Sequence, residues 1–194
     1  MLEYDFETHD EMIELSGVAG EMLSMTVEKI ANLYLKNDKA WVIGFSGGKD
    51  STVVLSLIFQ ALTTLKKDQL TKNVYVVCSD TLVETPVVVG LIRETLNDVQ
   101  VCAKKKGIPL VTQIVVPEVG ETFWSNLLGK GYPAPTKSFR WCTERMKINP
   151  VSDFIQSTVS KHGEVIVALG SRSQESASRA QSIAKHAIKG SELA

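Results

Sequence analysis

The sequence predicts an α/β fold built on a doubly wound parallel sheet. Three observations carry that expectation. Runs rich in Val, Ile and Leu recur at 41–45, 73–78, 110–116 and 165–169, near-continuously apolar, as strands covered on both faces must be. Longer segments with apolar residues three and four apart separate most of them, so successive strands are joined through helices. The most chemically marked stretches, 46–51, 79–85 and 170–179, fall just after strands. In open parallel sheets, ligands bind at the carboxyl ends of the strands.

The elements follow in order. Met12, Leu15, Ala19, Met22, Thr26, Ile30 and Leu33 predict an amphipathic helix, weakened in the middle by Gly17 and Gly20. This makes residues 1–40 an N-terminal helical extension and 41–194 the main domain. Trp41–Phe45 reads as a strand and about 50–66 as a helix. Asn73–Cys78 is the second strand. A helix over about 85–106 follows, with Pro86 in its first turn and Gly107 as its stop. Leu110–Val116 is a strand closed by Pro117. Residues 117–140 are irregular, about 143–160 is helical with a break at Pro150, and Val165–Leu169 is the last strand. The polar stretch after Gly170, ending in Ser191-Glu192-Leu193-Ala194, completes no element and predicts a mobile tail or a natural chain that continues.

At 194 residues and 44% apolar content, the chain can bury a full core. No run approaches a membrane span and no basic-then-apolar leader opens it, so a cytoplasmic protein without a membrane partner is expected. Cys78, Cys102 and Cys142 are odd in number and lack C-x-x-C spacing, which suits a reducing compartment. The net charge of −1 is unevenly spread: residues 1–40 hold nine acids and three bases, residues 129–194 five acids and ten bases. A basic final third is compatible with a polyanionic ligand there.

Ser46-Gly47-Gly48-Lys49-Asp50-Ser51 sits between the first strand and its helix. Glycines there let the backbone approach an anion, and the helix N-terminus supplies unpaired N–H groups and a favourable dipole. Lys49 adds charge, while Ser46 and Ser51 add hydroxyl donors; Asp50 is either the helix cap or a Mg²⁺ ligand. A Walker A loop is excluded: only three residues separate Gly44 from Gly48, and Asp50 follows the lysine. The spacing instead resembles the PP-loop of adenine nucleotide α-hydrolases, which cleave ATP between its α and β phosphates.

Further motifs are similar to those of phosphoadenylylsulfate reductases and related ATP pyrophosphatases. Ser79-Asp80-Thr81 with Glu84-Thr85-Pro86 resembles their Asp-Thr…Glu-Thr stretch. Gly170-Ser171-Arg172 with Glu175-Ser176 and Arg179 matches their Gly-x-Arg-x-x-Glu-Ser-x-x-Arg pattern. Trp141-Cys142-Thr143 with Arg145, Lys147 and Pro150 looks like their Trp-Cys-Thr…Arg-x-Lys-x-x-Pro run. Together with 129–135, it most resembles the sulfurtransferase component of DNA phosphorothioation systems.

The resemblance implies a fold of the PP-loop type, with Mg·ATP as substrate and cofactor. Lys49 and the 47–51 amides would hold pyrophosphate, and Arg172 and Arg179 would neutralise it as it leaves. Glu175 would orient Arg172 or help hold Mg²⁺, and Gly170 would lie beside the nucleotide. Backbone groups near Cys78 and Ser79, with Asp80, would meet adenine or ribose. The implied partners are DNA, whose backbone phosphate is adenylylated, and a cysteine desulfurase as sulfur donor. Arg140, Arg145 and Lys147 surround Cys142 in sequence, which favours a thiolate. That cysteine is a persulfide carrier, an iron–sulfur ligand or a core residue. Three cysteines alone cannot hold a four-cysteine cluster.

Two alternatives stand beside this reading. A reductase places a redox cysteine in its C-terminal tail, and no cysteine follows Cys142 here. A regulatory nucleotide-binding module would not require every element of the Ser46–Ser51 set. His9, His162 and His186 read as surface residues. Trp124, Tyr132 and Trp141 either anchor the long irregular segment or stack on bases.

Overall fold

The computed structural model describes residues 18–136 and 138–172, with Gln181 and Ala184 beyond them. Helix α1 (Val18–Leu35) precedes strand β1 (Ala40–Gly44), and α2 (Lys49–Thr63) leads to β2 (Val74–Ser79). Helix α3 (Pro86–Lys106) leads to β3 (Leu110–Val115). The short α4 (Trp141–Thr143), a π turn (Glu144–Ile148) and α5 (Asn149–His162) run on into β4 (Val165–Leu169).

The four strands are parallel in the order β3-β2-β1-β4. Trp41 stands opposite Val74 on one side and Ile166 on the other, so β1 is central. The chain winds outward from β1 through β2 to β3, then returns across the sheet to β4. Helices α1, α2 and α3 share one core with Trp41, Ile43, Phe45, Val74, Val76 and Cys78. The other face carries α5: Phe154 meets the Tyr75 ring edge-on at 5.7 Å. The sheet is doubly wound, as its apolar strands predict. Each fully buried aliphatic side chain contributes about 1.5–3 kcal/mol, against about 0–1 kcal/mol for an exposed ion pair, so this core dominates stability.

Two expectations need correction. The buried stripe of α1 is Val27, Ala31 and Tyr34, with Ile30 and Leu33 partly covered, while Met22 is 64% exposed. Tyr34 decides the rotation: its ring tilts on Trp41 and its hydroxyl donates to Lys72 O at 3.1 Å. A tyrosine was the stronger inward anchor, and apolar periodicity overlooked it. The break expected at Pro150 is absent. Asn149, just before it, stays in right-handed helical geometry, and the π turn ahead of Pro150 absorbs the irregularity.

Met12 and Leu15 of the expected first helix lie outside the described residues, as do His9 and His186. His162 is exposed, and its Nε2 lies 3.0 Å from the Tyr75 hydroxyl. Among the described residues, no helix is long and apolar enough to cross a membrane.

Candidate functional site

The site is built where the winding reverses, between the ends of β1 and β4. Phe45 N still donates to Val77 O at 2.8 Å, so the chain leaves the sheet only at Ser46. Gly47 turns it, at φ +72°, a conformation that side chains disfavour. An added Cβ there would also lie 3.0 Å from Ile92 Cγ1. Gly48 occupies the cap position of α2 without a side-chain bond. Asp50 is therefore not the helix cap; it belongs to the first turn.

Hydroxyl groups close the loop on itself. Ser51 Oγ donates to Gly48 O at 2.8 Å and accepts from Ser46 N at 3.2 Å, with Ser46 Oγ also at 3.2 Å. Thr52 Oγ1 donates to the same Gly48 carbonyl at 3.0 Å. Ser51 is buried and spends its hydroxyl proton within the loop, so it fixes the loop's shape and is not the free donor expected, while Ser46 is exposed. The first N–H groups of α2 have no intrahelical partner, and the helix dipole makes this end attractive to an oxyanion.

The end of β4 completes the cradle. A Cβ on Gly170 would come within 2.6 Å of Asp50 O and 2.8 Å of Ser51 N, so only glycine lets these two backbones touch. Two residues on, Arg172 Nε donates to Asp50 Oδ1 at 3.0 Å, and Lys49 Nζ lies 3.5 Å from Oδ2. One carboxylate therefore gathers both cations. Their side chains are 49% and 71% exposed, so each pair contributes about 0–1 kcal/mol and yields readily to a multiply charged phosphate.

At the end of β2 the side chains bind the fold together. Pro150 has no N–H to give Met146 O, four residues back, and Ser79 Oγ donates to that carbonyl at 2.7 Å. Asp80 accepts from Leu82 N at 3.0 Å, which holds Leu82 at φ +62°, and Arg93 reaches its other oxygen at 3.5 Å. Glu84 meets Lys147 at 3.5 Å. Cys78, Asp80, Glu84, Ile92, Arg93 and Ile114 line a small open hollow here. Burial first, then the Glu84 and Asp80 charges, push the Cys78 thiol up to about 11. Ser79 and Asp80 therefore shape this rim, and Ile92 links it to Gly47.

Cys142 is half-buried on α4. Two of the cations expected around it are engaged elsewhere: Lys147 with Glu84, and Arg145 with Glu121 and the Tyr132 hydroxyl. Lys130 and Arg145 together hold the Glu121 carboxyl below the usual carboxylate range. Phe123 and Tyr132 pack on Trp141, whose Nε1 donates to Pro133 O at 3.0 Å. Trp141 anchors the long segment, while Trp124 is 58% exposed.

The cysteines stand on β2, α3 and α4, and the described residues hold no group of three or more metal-ligating side chains. Among the described residues, the three cysteines therefore do not gather into an iron–sulfur site. Mg²⁺ makes a smaller demand, one or two carboxylates plus substrate phosphates, and Asp50 at the cradle's edge fits that demand. Arg179 and Glu175 lie outside the described residues.

The structure thus joins Ser46, Gly47, Gly48, Lys49, Asp50, Ser51, Gly170 and Arg172. Sequence reasoning missed Ile92 and Arg93. Their signal was position: two turns into a helix starting at Pro86, they stand behind the 79–85 rim.

Residues 40–187, which include every element of this cradle, match the phosphoadenosine phosphosulfate reductase domain. The chain belongs to that family. Membership places the reductase-like domain among nucleotide-binding, sulfur-related enzymes. It is similar to two uncharacterized proteins of Methanocaldococcus jannaschii. MJ0066 is 32% identical over 175 residues, which is 90% of this chain and 32% of that protein. MJ0973 is 31% identical over 135 residues, 70% of this chain and 26% of that protein. The chain spans about a third or less of these relatives.

Proposed function

We propose that this reductase-like domain cleaves ATP between the α and β phosphates and passes the adenylyl group to a backbone phosphate of DNA, preparing it for sulfur. One observation carries the reading: Lys49 and Arg172, from loops that part at the reversal of the sheet, converge on one side of a glycine-rich helix start. Such a site takes two adjacent phosphates in a fixed orientation.

The phosphate oxygen of the acceptor attacks the α-phosphorus, the bond from that phosphorus to the α–β bridging oxygen breaks, and pyrophosphate leaves with that oxygen. Lys49, Arg172 and the first N–H groups of α2 neutralise the leaving charge, and the preorganised loop lowers the barrier electrostatically. Asp50 would hold Mg²⁺, which supplies charge neutralisation on the phosphates. A persulfide charged by a cysteine desulfurase would then attack the adenylylated phosphorus through its outer sulfur as AMP departs. A second thiol would attack the inner, carrier sulfur, breaking the S–S bond to leave the phosphorothioate and a disulfide on the carrier.

The test is pyrophosphate release from Mg·ATP with DNA present, for the native chain and Lys49→Ala. The expected result is release that falls at least about 100-fold in the variant, the scale of losing one transition-state donor. Inorganic phosphate in place of pyrophosphate, or binding without turnover, overturns the reading; the latter leaves a regulatory nucleotide-binding module. The family match also supports phosphoadenylylsulfate or adenylylsulfate reduction. Sulfite release from either nucleotide with a thiol reductant would select that reaction.

A further inference from the structure

The parallel topology sends the carboxyl ends of α1, α2, α3 and α5 to one pole, where the strands begin. The connections gathered there are 36–39, 64–73, 104–109 and 161–164. They hold nine lysines (36, 39, 66, 67, 72, 104, 105, 106 and 161), no arginine, and three acids, Asp38, Asp68 and Glu164. A chain of net charge −1 therefore concentrates a large positive excess at this end. Lysines at helix ends complement the helix dipole, which accounts for one or two per helix. The last turn of α3 alone holds three, Lys104, Lys105 and Lys106, and Lys66 and Lys67 stand just beyond the end of α2.

Two of these pairs of segments touch: the alkyl chain of Lys67 passes beside Gly107, where a Cβ would stand 3.5 Å from Lys67 Cε, and Lys39 pairs with Glu164 at 2.7 Å. Lys66, Lys67, Lys104, Lys106 and Lys161 are exposed. Lys72 is buried, its Nζ 4.2 Å from the centre of the Tyr34 ring.

We infer that this amino pole binds the phosphate backbone of a nucleic acid without reading its sequence. Composition decides among polyanions. Protein interfaces are depleted in lysine and centred on buried aromatic residues or arginine, none of which is exposed in these connections. Insertion into a membrane surface needs an apolar wedge, and these connections expose no large hydrophobic side chain. Lysines act as hydrated point charges that contact phosphates without bidentate geometry.

The pole is also remote from the phosphate loop. Strands of five and six residues put about 17–20 Å of sheet between them. Nucleic acid held there leaves the nucleotide cradle open, so the surface tethers the domain.

The test is fluorescence anisotropy with a short random-sequence duplex from about 50 to 200 mM salt. It compares the native chain with Lys66→Glu/Lys67→Glu/Lys104→Glu/Lys106→Glu and with the same four lysines changed to Gln. The reversed variant should bind about tenfold or more weakly, with the Gln variant between, and the salt slope should fall by about 0.9 for each phosphate no longer neutralised. Unchanged affinity in both variants overturns the inference. So does equal, equally salt-sensitive binding of polyglutamate or anionic vesicles, which would assign the pole to an acidic protein or a membrane. The assay needs no ATP, so it stands whether or not pyrophosphate is released.

Discussion

At the residue scale, Gly170 is the tightest constraint in the site. A methyl group there meets backbone, which cannot rotate away. Gly170→Ala should destabilise by about 1–3 kcal/mol, the usual cost of overpacking, and part β4 from the start of α2. Nucleotide affinity should fall with stability in the same variant; calorimetry and thermal unfolding on one sample check both. Retained affinity in a destabilised protein would show that the cradle does not need this contact. Cys78 gives a pH prediction. Its thiol is raised from an ordinary 9.0 to about 11, so the folded state holds the proton more tightly than the unfolded one. The stabilisation is complete below pH 9 and is lost as pH rises towards 11. Denaturant titrations across that range should show it, and Cys78→Ser should lessen the alkaline loss.

At the element scale, the bond from Ser79 to Met146 O ties β2 to the π turn at a carbonyl that Pro150, four residues on, has no N–H to serve. Ser79→Ala should cost about 1 kcal/mol in urea unfolding. Adding Pro150→Ala, which restores an N–H four residues on, should lessen that cost. Additive losses in the double variant would refute the link. The sequence made strands and helices legible because burial on both faces and three-four spacing are strong signals. Helix rotation and continuity were less so. Met22 fitted the periodicity of α1, yet the helix turns to bury Tyr34, whose hydroxyl finds a backbone partner across the fold. Pro150 signalled a break, yet a π turn accommodates it, and no residue pattern marks a π turn in advance.

At the scale of the whole molecule, the glycine-rich turn was readable because it is contiguous: Ser46 to Ser51 are neighbours in sequence and in space. The pairing of Asp50 with Arg172 joins distant segments, and Ile92 and Arg93 stand behind the rim only once α3 is placed. Charge shows the same limit. Counted along the chain, the basic excess belongs to residues 129–194; folded, eight of the nine lysines gathered at the amino pole come from before residue 129. The lysine exchanges above test whether that redistribution matters.

Central β1 has a further consequence, in the order of assembly. Its first partner, β2, follows closely in the chain, but Ala40 must wait for Val165 before its other edge is filled. Contacts between such distant segments form late, since loop closure is costly until they are rewarded. During synthesis the Ser46–Ser51 loop can take shape long before Gly170 and Arg172 leave the ribosome. Under the proposed function, a nucleotide held by both halves would be captured only once β4 has docked beside β1, so its binding would stabilise that state selectively.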